Sequence, residues 1–401
     1  MDPLSWIEII VRILGLFLPV WTALFVTFTV SIYYKEKLGL YGRLFDSLIG
    51  MIGFFLVMFW IYTALFTGIF DLIATHDPLS QIAQMKNKVP GTALPAKAAE
   101  EAYAYYLLGG DNLGRDVFSR MVKGSVIVIQ IAPLATIFAY MVGITLGLPA
   151  GYYGAKFDTY LSFAANLILA FPVILLFYLL VTPEIVLTGI PAYMAAVLFI
   201  FPVIFVGILV NSKMATRPNV RTPILASVLA VAIWLYMSLV SEKGRGTLVD
   251  FWPSFMDLFN IPGGVLVVFV AVVFVNSPTI FRIVRGLTFD VKTRDYVSAA
   301  QTRGESAWYI MLWEILPNVR GPIIVDFCLR VGYTTILLGT LGFFGLGLPP
   351  ESPDWGSTIN DGRRLLSVYL HPPLAPALSL LSLVLGLNLL ADGLREESLK
   401  D

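Results

Sequence analysis

The chain has 401 residues, of which 57% are hydrophobic and 13% are charged, whereas an average soluble protein has about 25% charged residues. Its 27 basic and 27 acidic residues cancel, so no global field attracts nucleic acid. A single cysteine excludes an internal disulfide, and no CxxC pair indicates a zinc or redox site. The composition therefore excludes a soluble protein of two or three domains and predicts an all-α polytopic membrane protein.

Hydrophobic runs of about 20 residues, long enough to cross a bilayer as helices, recur along the whole chain. We predict nine transmembrane helices, over residues 7–33, 45–70, 124–151, 158–182, 185–210, 222–240, 263–284, 328–348 and 374–392. The first run has no basic segment before it and no clear cleavage site after it. We therefore expect a retained helix there rather than a signal peptide.

The placement of lysine and arginine predicts which side of the membrane each loop faces. With the N-terminus outside, the inner loops receive most of the cations near the spans, including a basic stretch from Arg282 to Arg320. The long loop 71–123 then lies outside the cell membrane, and the loop 285–327 and the C-terminus lie in the cytoplasm. An odd number of spans agrees with termini on opposite sides.

The inner loop carries a helix–glycine–helix pattern. Its first helix is expected to start near Asp290 or Thr293, both suitable N-cap types, and to run to Arg303. Gly304 is placed to take the left-handed conformation that ends a helix, and Pro317 marks the end of a second, amphipathic helix. The pattern predicts an elbow that another protein surface approaches closely. An ordinary amphipathic loop on the lipid headgroups fits the same residues.

This segment resembles the EAA signature of ABC importer permeases, whose loop forms the coupling helix that docks in a groove of the cytoplasmic ATPase. An Ala pair, a glycine and a Leu-Pro pair have the matching spacings. Two positions depart from the pattern, since Ser298 replaces the usual Glu and Glu314 replaces an apolar residue. The residues that the resemblance implies in ATPase coupling, at about 290–317, are Ser298, Ala299, Ala300, Arg303, Gly304, Glu305, Leu316 and Pro317.

Two further segments strengthen the resemblance. GGDNLGRDVFSR, at residues 109–120, resembles the LGTDxxGRDxxSR stretch of the C-type permease of dipeptide, oligopeptide and nickel importers. LGFFGLGLPPESPDWGSTINDGRR and the later NLLADGLRE resemble the C-terminal part of that permease. The first segment is expected to form an extracytoplasmic gate or a contact with the binding protein; a network that only stabilises the fold fits it as well. Its candidate residues are Asp111, Gly114, Arg115, Asp116 and Arg120.

The family core has six helices, so the resemblance implies a type I ABC importer permease core with three extra helices. One extra helix lies within residues 1–44, and a pair is inserted at about 185–262. Residues 45–123 would hold the first core helix and its extracytoplasmic loop, and residues 124–397 the rest of the transmembrane domain. A repeat of Gly339, Gly342 and Gly345 in the eighth helix predicts a smooth strip for close helix packing, near the pore by family resemblance.

The resemblance also implies the partners of an inner-membrane permease subunit that imports peptides or related solutes. They are a second permease subunit in a heterodimer, two cytoplasmic ATPase subunits and an extracytoplasmic solute-binding protein, all assembled at a lipid bilayer. The chain has no GxxxxGK[ST] phosphate loop, so ATP and Mg are expected on the ATPases and no cofactor on this chain. Neither a catalytic nor a metal site is expected, because His76 and His371 are far apart in sequence and no HExxH motif occurs.

Other functions fit a polytopic chain. A self-sufficient secondary transporter would need inverted repeats and ionisable residues at the midplane, and the sequence contains no convincing repeat and few charges in its apolar runs. A membrane enzyme would cluster catalytic residues near one interface, and no such cluster stands out. Import of nickel or another small solute uses the same architecture by family resemblance and stays open.

Overall fold

The structure is a computed structural model of the chain, and it describes residues 3–95, 103–215, 217–240, 254–256, 263–346, 348–349 and 351–398. Most of these residues are helical. The one sheet among them is a short antiparallel pair, in which Thr92–Ala93 lies beside Tyr105–Tyr106. The predicted all-α class is therefore confirmed.

Long helices alternate with short ones along the chain. The α-helices are Trp6–Leu16, Leu18–Tyr33, Leu40–Arg43, Leu48–Gly68, Val117–Tyr153, Ala155–Leu169, Val173–Val181, Pro183–Leu187, Ile190–Leu198, Ile200–Lys213, Pro218–Val240, Gly263–Val291, Asp295–Thr302, Ala307–Tyr309, Leu316–Asn318, Arg320–Phe344, Trp355–Arg363 and His371–Ser398. Single 3-10 turns are formed by Lys35–Lys37, Leu44–Asp46, Ala83–Met85 and Ser254–Met256, and a π-helical turn by Ile310–Ile315.

Seven helices of the described part are long and apolar enough to cross a membrane, and two bent helix pairs raise the number to nine. The seven are Leu48–Gly68, Val117–Tyr153, Ile190–Lys213, Pro218–Val240, Gly264–Val291, Arg320–Phe344 and His371–Glu397. The bent pairs are Trp6–Leu16 with Leu18–Tyr33, at 57°, and Ala155–Leu169 with Val173–Val181, at 80°. Each of the nine predicted runs thus coincides with a candidate span, but the first and the fourth are not single straight helices.

Proline accounts for both bends. Pro19 is the second residue of its helix, and Pro172 is the residue from which the helix Val173–Val181 starts. A proline donates no backbone hydrogen bond to the preceding turn and disfavours the helical conformation in the residue before it. The expectation of one continuous helix over 158–182 was therefore wrong at Pro172.

The chain divides into two compact units, and the first comprises Met1–Pro133 and Ile324–Asp401. Its most extensive helix pair is Leu48–Gly68 with His371–Ser398. Glycine lets these two backbones approach closely, because a Cβ on Gly53 would collide with the backbone of Leu390. The indole of Trp60 donates a hydrogen bond to Ser382 Oγ at 2.8 Å across the same helix pair.

The second unit comprises Leu134–Ile323. The helix Gly263–Val291 lies at its centre, and 72% of its most apolar window is buried. Phe269 of this helix packs edge to face with Phe138 and Phe199, and the three ring centroids lie 5.2–5.6 Å apart. The helices Ile190–Lys213 and Pro218–Val240 differ, since only 11% of the apolar window of each is buried. They pack mainly on each other and form a hairpin, here called the peripheral hairpin, residues 190–240.

Candidate functional site

The first arm of the predicted elbow is the helix Asp295–Thr302, in the second unit. It begins just after the two expected positions, because the helix Gly263–Val291 continues through Asp290 and Thr293 lies in the turn that follows. The N-cap is Arg294, whose side chain makes no capping hydrogen bond. The start therefore lies near Thr293, as predicted, but neither Asp290 nor Thr293 is the N-cap.

The turn between the arms has the predicted form. Gly304 has a φ of +77°, in the left-handed region, where a residue with a Cβ is disfavoured. Its N–H donates to the carbonyl of Gln301 at 2.9 Å, and the N–H of Glu305 donates to the carbonyl of Ala300 at 3.2 Å. This pair of bonds is a Schellman motif, which ends a helix and sets the direction of the chain that follows. The role of Gly304 in stopping the helix is confirmed.

The second arm is not the regular amphipathic helix that was expected. Ser306 Oγ accepts a hydrogen bond from the N–H of Tyr309 at 3.3 Å and caps one α-helical turn. A π-helical turn, Ile310–Ile315, follows. Pro317 lies in the last turn, is exposed, and has no N–H for the carbonyl of Trp313, so a regular α-helical ladder cannot continue there. The arm nevertheless ends near Pro317, as predicted.

The two faces of the first arm differ in exposure. Ser298 and Ala299 are exposed, whereas Val297 and Ala300 are fully buried against the second arm. Residues three apart share a helix face, so Ala300 follows Val297 into the chain's own core. The prediction that both alanines meet a partner is therefore corrected, and only Ala299 is available to one.

An ion pair joins the two arms. Arg303 Nη2 lies 2.6 Å from Glu314 Oε1, with 52% and 24% of the two side chains exposed. Glu314 is the position that departs from the apolar residue of the family pattern, and this pair explains how a carboxylate fits there. Leu316, beside it, is half-buried. The pair adds a second link between arms that Gly304 already joins.

Side-chain bonds attach the elbow to the end of a long helix in its unit. Gln301 Nε2 donates to the hydroxyl of Tyr152 at 3.0 Å, and Lys292 Nζ donates to the carbonyl of Gly151 at 3.0 Å. Both acceptors lie in the last turn of Val117–Tyr153. A displacement of the elbow therefore pulls directly on that helix end.

The segment 109–120 contributes to a buried group of charges in the first unit, here called the charged cluster: Asp111, Arg115, Arg120 and Asp361. Arg115 Nε donates to Asp111 Oδ2 at 2.6 Å, and Arg115 Nη2 donates to Asp361 Oδ2 at 2.6 Å. Arg120 lies 4.0 Å from Asp111 and 3.8 Å from Asp361. Two cations and two anions therefore balance, as buried charges require.

Asp116 points away from this cluster, as expected for a neighbour of Arg115. Its carboxylate caps the helix Val117–Tyr153, accepting from the N–H groups of Phe118 and Ser119 at 3.2 and 3.1 Å. It also accepts from Thr75 Oγ1 at 2.9 Å and lies 3.1 Å from His76 Nδ1. Asp116 thus holds the segment 75–76 against the start of a candidate span.

Arg120 is fully buried and reaches the segment 352–358. It donates to Thr358 Oγ1 at 3.1 Å and to the carbonyl of Ser352 at 3.1 Å. Nearby, Asp354 caps the helix Trp355–Arg363, since its Oδ1 accepts from the N–H of Ser357 at 2.9 Å. Its other oxygen is buried with no hydrogen-bond partner among the described residues. Burial raises the pKa of Asp354.

Gly114 makes a close approach that no other residue allows. Its φ is +79°, and a Cβ there would collide with the carbonyl oxygen of Ile82. Tyr106 donates to the carbonyl of Gly114 at 3.2 Å, and burial raises the pKa of its phenol. The motif glycine is thus a packing requirement of the loop.

Two of the three repeated glycines pack as predicted. A Cβ on Gly339 would press on Leu380, and one on Gly342 would collide with Asp354. Gly345 does not belong to the strip, because the helix ends at Phe344 and a Cβ on Gly345 would meet nothing within 4 Å. The prediction for Gly345 was wrong, since its φ of +71° makes it a helix-ending residue.

The distant partners of these motifs were not predicted from the sequence. Asp361 and Thr358 carry no local signal, because they lie 246 and 238 residues from the arginines they bind. Ser306 did carry one, as a hydroxyl residue just before an apolar run. Within the described ranges, no three His, Cys, Asp or Glu side chains come together as a metal site. The absence of a metal or cofactor stays a prediction.

Comparison with known proteins points to one family. The family described as "Binding-protein-dependent transport system inner membrane component" matches residues 214–396. The glutathione transport system permease protein GsiD of Pectobacterium atrosepticum is 28% identical over 289 residues, covering 72% of this chain and 70% of the relative. The dipeptide transport system permease protein DppC of Alkalihalophilus pseudofirmus is 27% identical over 82% of this chain and 81% of its own length. The DppC protein of Haemophilus influenzae is 26% identical over 91% of both.

The elbow and the apolar helices agree with the names of these relatives, which describe transport permeases. The family match includes the whole elbow and ends within the last helix. The several candidate spans of the described residues agree with the description of the matched family as an inner-membrane component. Over most of its length the chain is similar to the inner-membrane permeases of binding-protein-dependent ABC importers, in the peptide and nickel family.

Proposed function

We propose that this chain forms half of the translocation pathway of an ATP-driven importer of peptides or related solutes. The observation that carries the proposal is the elbow, residues 295–318, whose exposed face at Ser298 and Ala299 has almost no side chain to keep another protein away. The names of the relatives support the solute class, since they are a glutathione permease and two dipeptide permeases. These subunits belong to binding-protein systems, which fits an importer and not a self-sufficient secondary transporter.

In the proposed cycle, an external binding protein delivers the solute to a pair of permease subunits. Two cytoplasmic ATPases bind ATP and Mg, close on each other and carry the elbows with them. The elbow of this chain is bonded to the end of Val117–Tyr153 through Gln301 and Lys292. Its movement therefore changes the position of a transmembrane helix without covalent chemistry on this chain. The cycle requires the N-terminus outside and residues 285–327 inside the cell.

We assign the charged cluster a holding role rather than direct contact with the binding protein. Arg115 and Arg120 have side chains that are 3% and 0% exposed, so neither can reach a partner without unfolding its surroundings. Each binds the segment 352–361. The cluster therefore keeps two extracytoplasmic segments of the first unit together, and any binding-protein contact falls to more exposed neighbours.

The deciding experiment reconstitutes the chain with its sister permease and ATPases in proteoliposomes. The expected result is ATP hydrolysis that rises when a binding protein loaded with a dipeptide or tripeptide is added, together with uptake of that peptide. Nickel ions, tested in the same assay, distinguish the peptide from the metal branch of the family. Uptake driven by an ion gradient without ATPases would contradict the proposal.

A further inference from the structure

The second arm of the elbow is bonded to the peripheral hairpin, which the six-helix core does not account for. Trp313 Nε1 donates a hydrogen bond to Ser212 Oγ at 3.0 Å. Ser212 is 3% exposed and lies in the last turn of the helix Ile200–Lys213. The same helix packs against Ala307–Tyr309 and Ile310–Ile315. The contact is therefore a packed interface that includes a partly buried hydrogen bond.

A cation holds the same indole from another direction. Lys213 Nζ lies 4.6 Å from the centroid of the Trp313 ring, within the range of a cation–π interaction. The hydrogen bond fixes the edge of the ring and the ammonium group lies over its face. Two neighbouring residues of the hairpin thus determine both the position and the tilt of one elbow side chain.

Besides the elbow, the hairpin packs on the helix Gly263–Val291 through Ile190–Leu198, and Phe199 packs edge to face on Phe138 and Phe269. Only 11% of the apolar window of each of its helices is buried, so most of its surface is left for lipid. Outside the hairpin, the helix Ile200–Lys213 packs mainly on the elbow. The end of the hairpin contacts the elbow, and its two helices face lipid. The hairpin can therefore hold the elbow at a defined position relative to the membrane.

We infer that the peripheral hairpin fixes the position of the coupling elbow and that Trp313 is the positioning residue that joins them. This inference rests on the proposed function, because it concerns the elbow through which an ATPase acts. The ATPase applies force to the exposed face of the first arm. Gly304 and the Arg303–Glu314 pair transmit this force to the second arm, which contains Trp313. With this bond intact, the elbow moves as one body with the end of the hairpin.

The test compares variants that remove this bond in the assembled transporter. Trp313→Phe keeps an aromatic ring and loses the N–H, and Ser212→Ala loses its acceptor. Each is expected to raise the ATP consumed per peptide imported about threefold to tenfold, the change that the loss of one hydrogen bond produces. Because both act through one bond, the double variant is expected to be no worse than the worse single variant. Ser212→Thr keeps the hydroxyl and is expected to restore the wild-type ratio.

The matched control is Trp234→Phe, on the same hairpin. Its indole donates to the carbonyl of Met256 at 2.8 Å, so the substitution also removes one indole hydrogen bond, but away from the elbow. The control is expected to keep the wild-type ratio of ATP consumed to peptide imported. An equal effect of control and test variants would indicate a general defect and overturn the inference, as would additive effects in the double variant.

Different results would overturn the role of Trp313 and the proposed function. A wild-type complex that couples ATP hydrolysis to uptake, with Trp313→Phe and Ser212→Ala behaving like it, overturns the inference and leaves the proposed function standing. A wild-type complex that shows no ATP hydrolysis in response to the peptide-loaded binding protein overturns both.

Discussion

Arg115 donates to the carboxylate of Asp361 at 2.6 Å, across 246 residues of chain. The other side of the same guanidinium holds Asp111, so one planar fork binds two carboxylates. Asp361 lies in the helix Trp355–Arg363, whereas Asp111 and Arg115 lie in the loop before Val117–Tyr153. One buried cation therefore joins two segments that resemble the family in separate parts of the sequence.

Replacing Arg115 with alanine should lower the stability of the chain. The substitution leaves Asp111 and Asp361 without their cation, and losing one partner of a buried pair costs about 3–5 kcal/mol. The measurement is the thermal unfolding midpoint of the detergent-purified protein. Lys35→Ala is the control, since its pair with Asp46 is about half exposed and contributes little. Wild-type stability together with lost uptake in Arg115→Ala would instead favour direct contact with the binding protein or the gate.

The turn of the elbow should tolerate asparagine better than valine at position 304. A side chain in the left-handed region costs roughly 1–2 kcal/mol, and asparagine adopts that region more readily than a β-branched residue. We expect Gly304→Val to insert normally but to lose ATPase binding or coupling, and Gly304→Asn to retain most of both. Pull-down of the ATPase and binding-protein-stimulated ATP turnover measure this. Equal, wild-type behaviour of both variants would contradict the coupling role of the turn.

Tryptophan at either of the two neighbouring alanines of the first arm should impair the protein, one through ATPase binding and the other through stability. Ala299 is exposed, so Ala299→Trp should leave stability unchanged while blocking the approach of the ATPase. Ala300 is fully buried, so Ala300→Trp should overpack the contact with the second arm, at a cost of about 1–3 kcal/mol or more. Unfolding midpoints separate the variants, and ATPase pull-down follows for each stable one. Normal ATPase binding by Ala299→Trp would place the docking face elsewhere.

Asp354 should make stability depend on pH in a predictable direction. Burial raises its pKa above that of the unfolded chain, so between the two values the native state holds a proton that the unfolded state has lost. Stability from this group is therefore greatest at low pH and falls as pH rises from about 4 through the raised pKa. Asp354→Asn keeps an acceptor for the N–H of Ser357 and should flatten this part of the curve. Parallel curves for wild type and variant, from pH 4 upward, would contradict the assignment.

The proposed orientation can be tested with single cysteines. Cys328 is buried, so Cys328→Ala provides a background without native thiol. Leu79→Cys and Arg294→Cys place thiols at exposed positions of the loops predicted outside and inside the cell. A membrane-impermeant maleimide added to intact cells should label position 79 only, and position 294 should react after the cells are opened. Labelling of both positions in intact cells would overturn the orientation.

The sequence by itself determined the features that depend on neighbours along the chain. Nine apolar runs predicted the seven candidate spans and the two bent helix pairs of the described residues, because the hydrophobic length needed to cross a bilayer is a local property. The glycine at position 304 predicted a left-handed turn there, since few other residues adopt that conformation without strain. Adjacent side chains point apart, so Asp116 and Arg115 have separate partners.

Only the tertiary structure decided which distant groups meet and which face of each element is covered. Nothing near Arg115 in sequence indicates Asp361, and nothing near Trp313 indicates Ser212, because such pairs form when separate helices pack. The same packing turned Ala300 inward while its neighbour Ala299 stayed exposed. Helical periodicity indicates that two such residues point in different directions, but the direction of the core is set by elements folded from elsewhere in the chain.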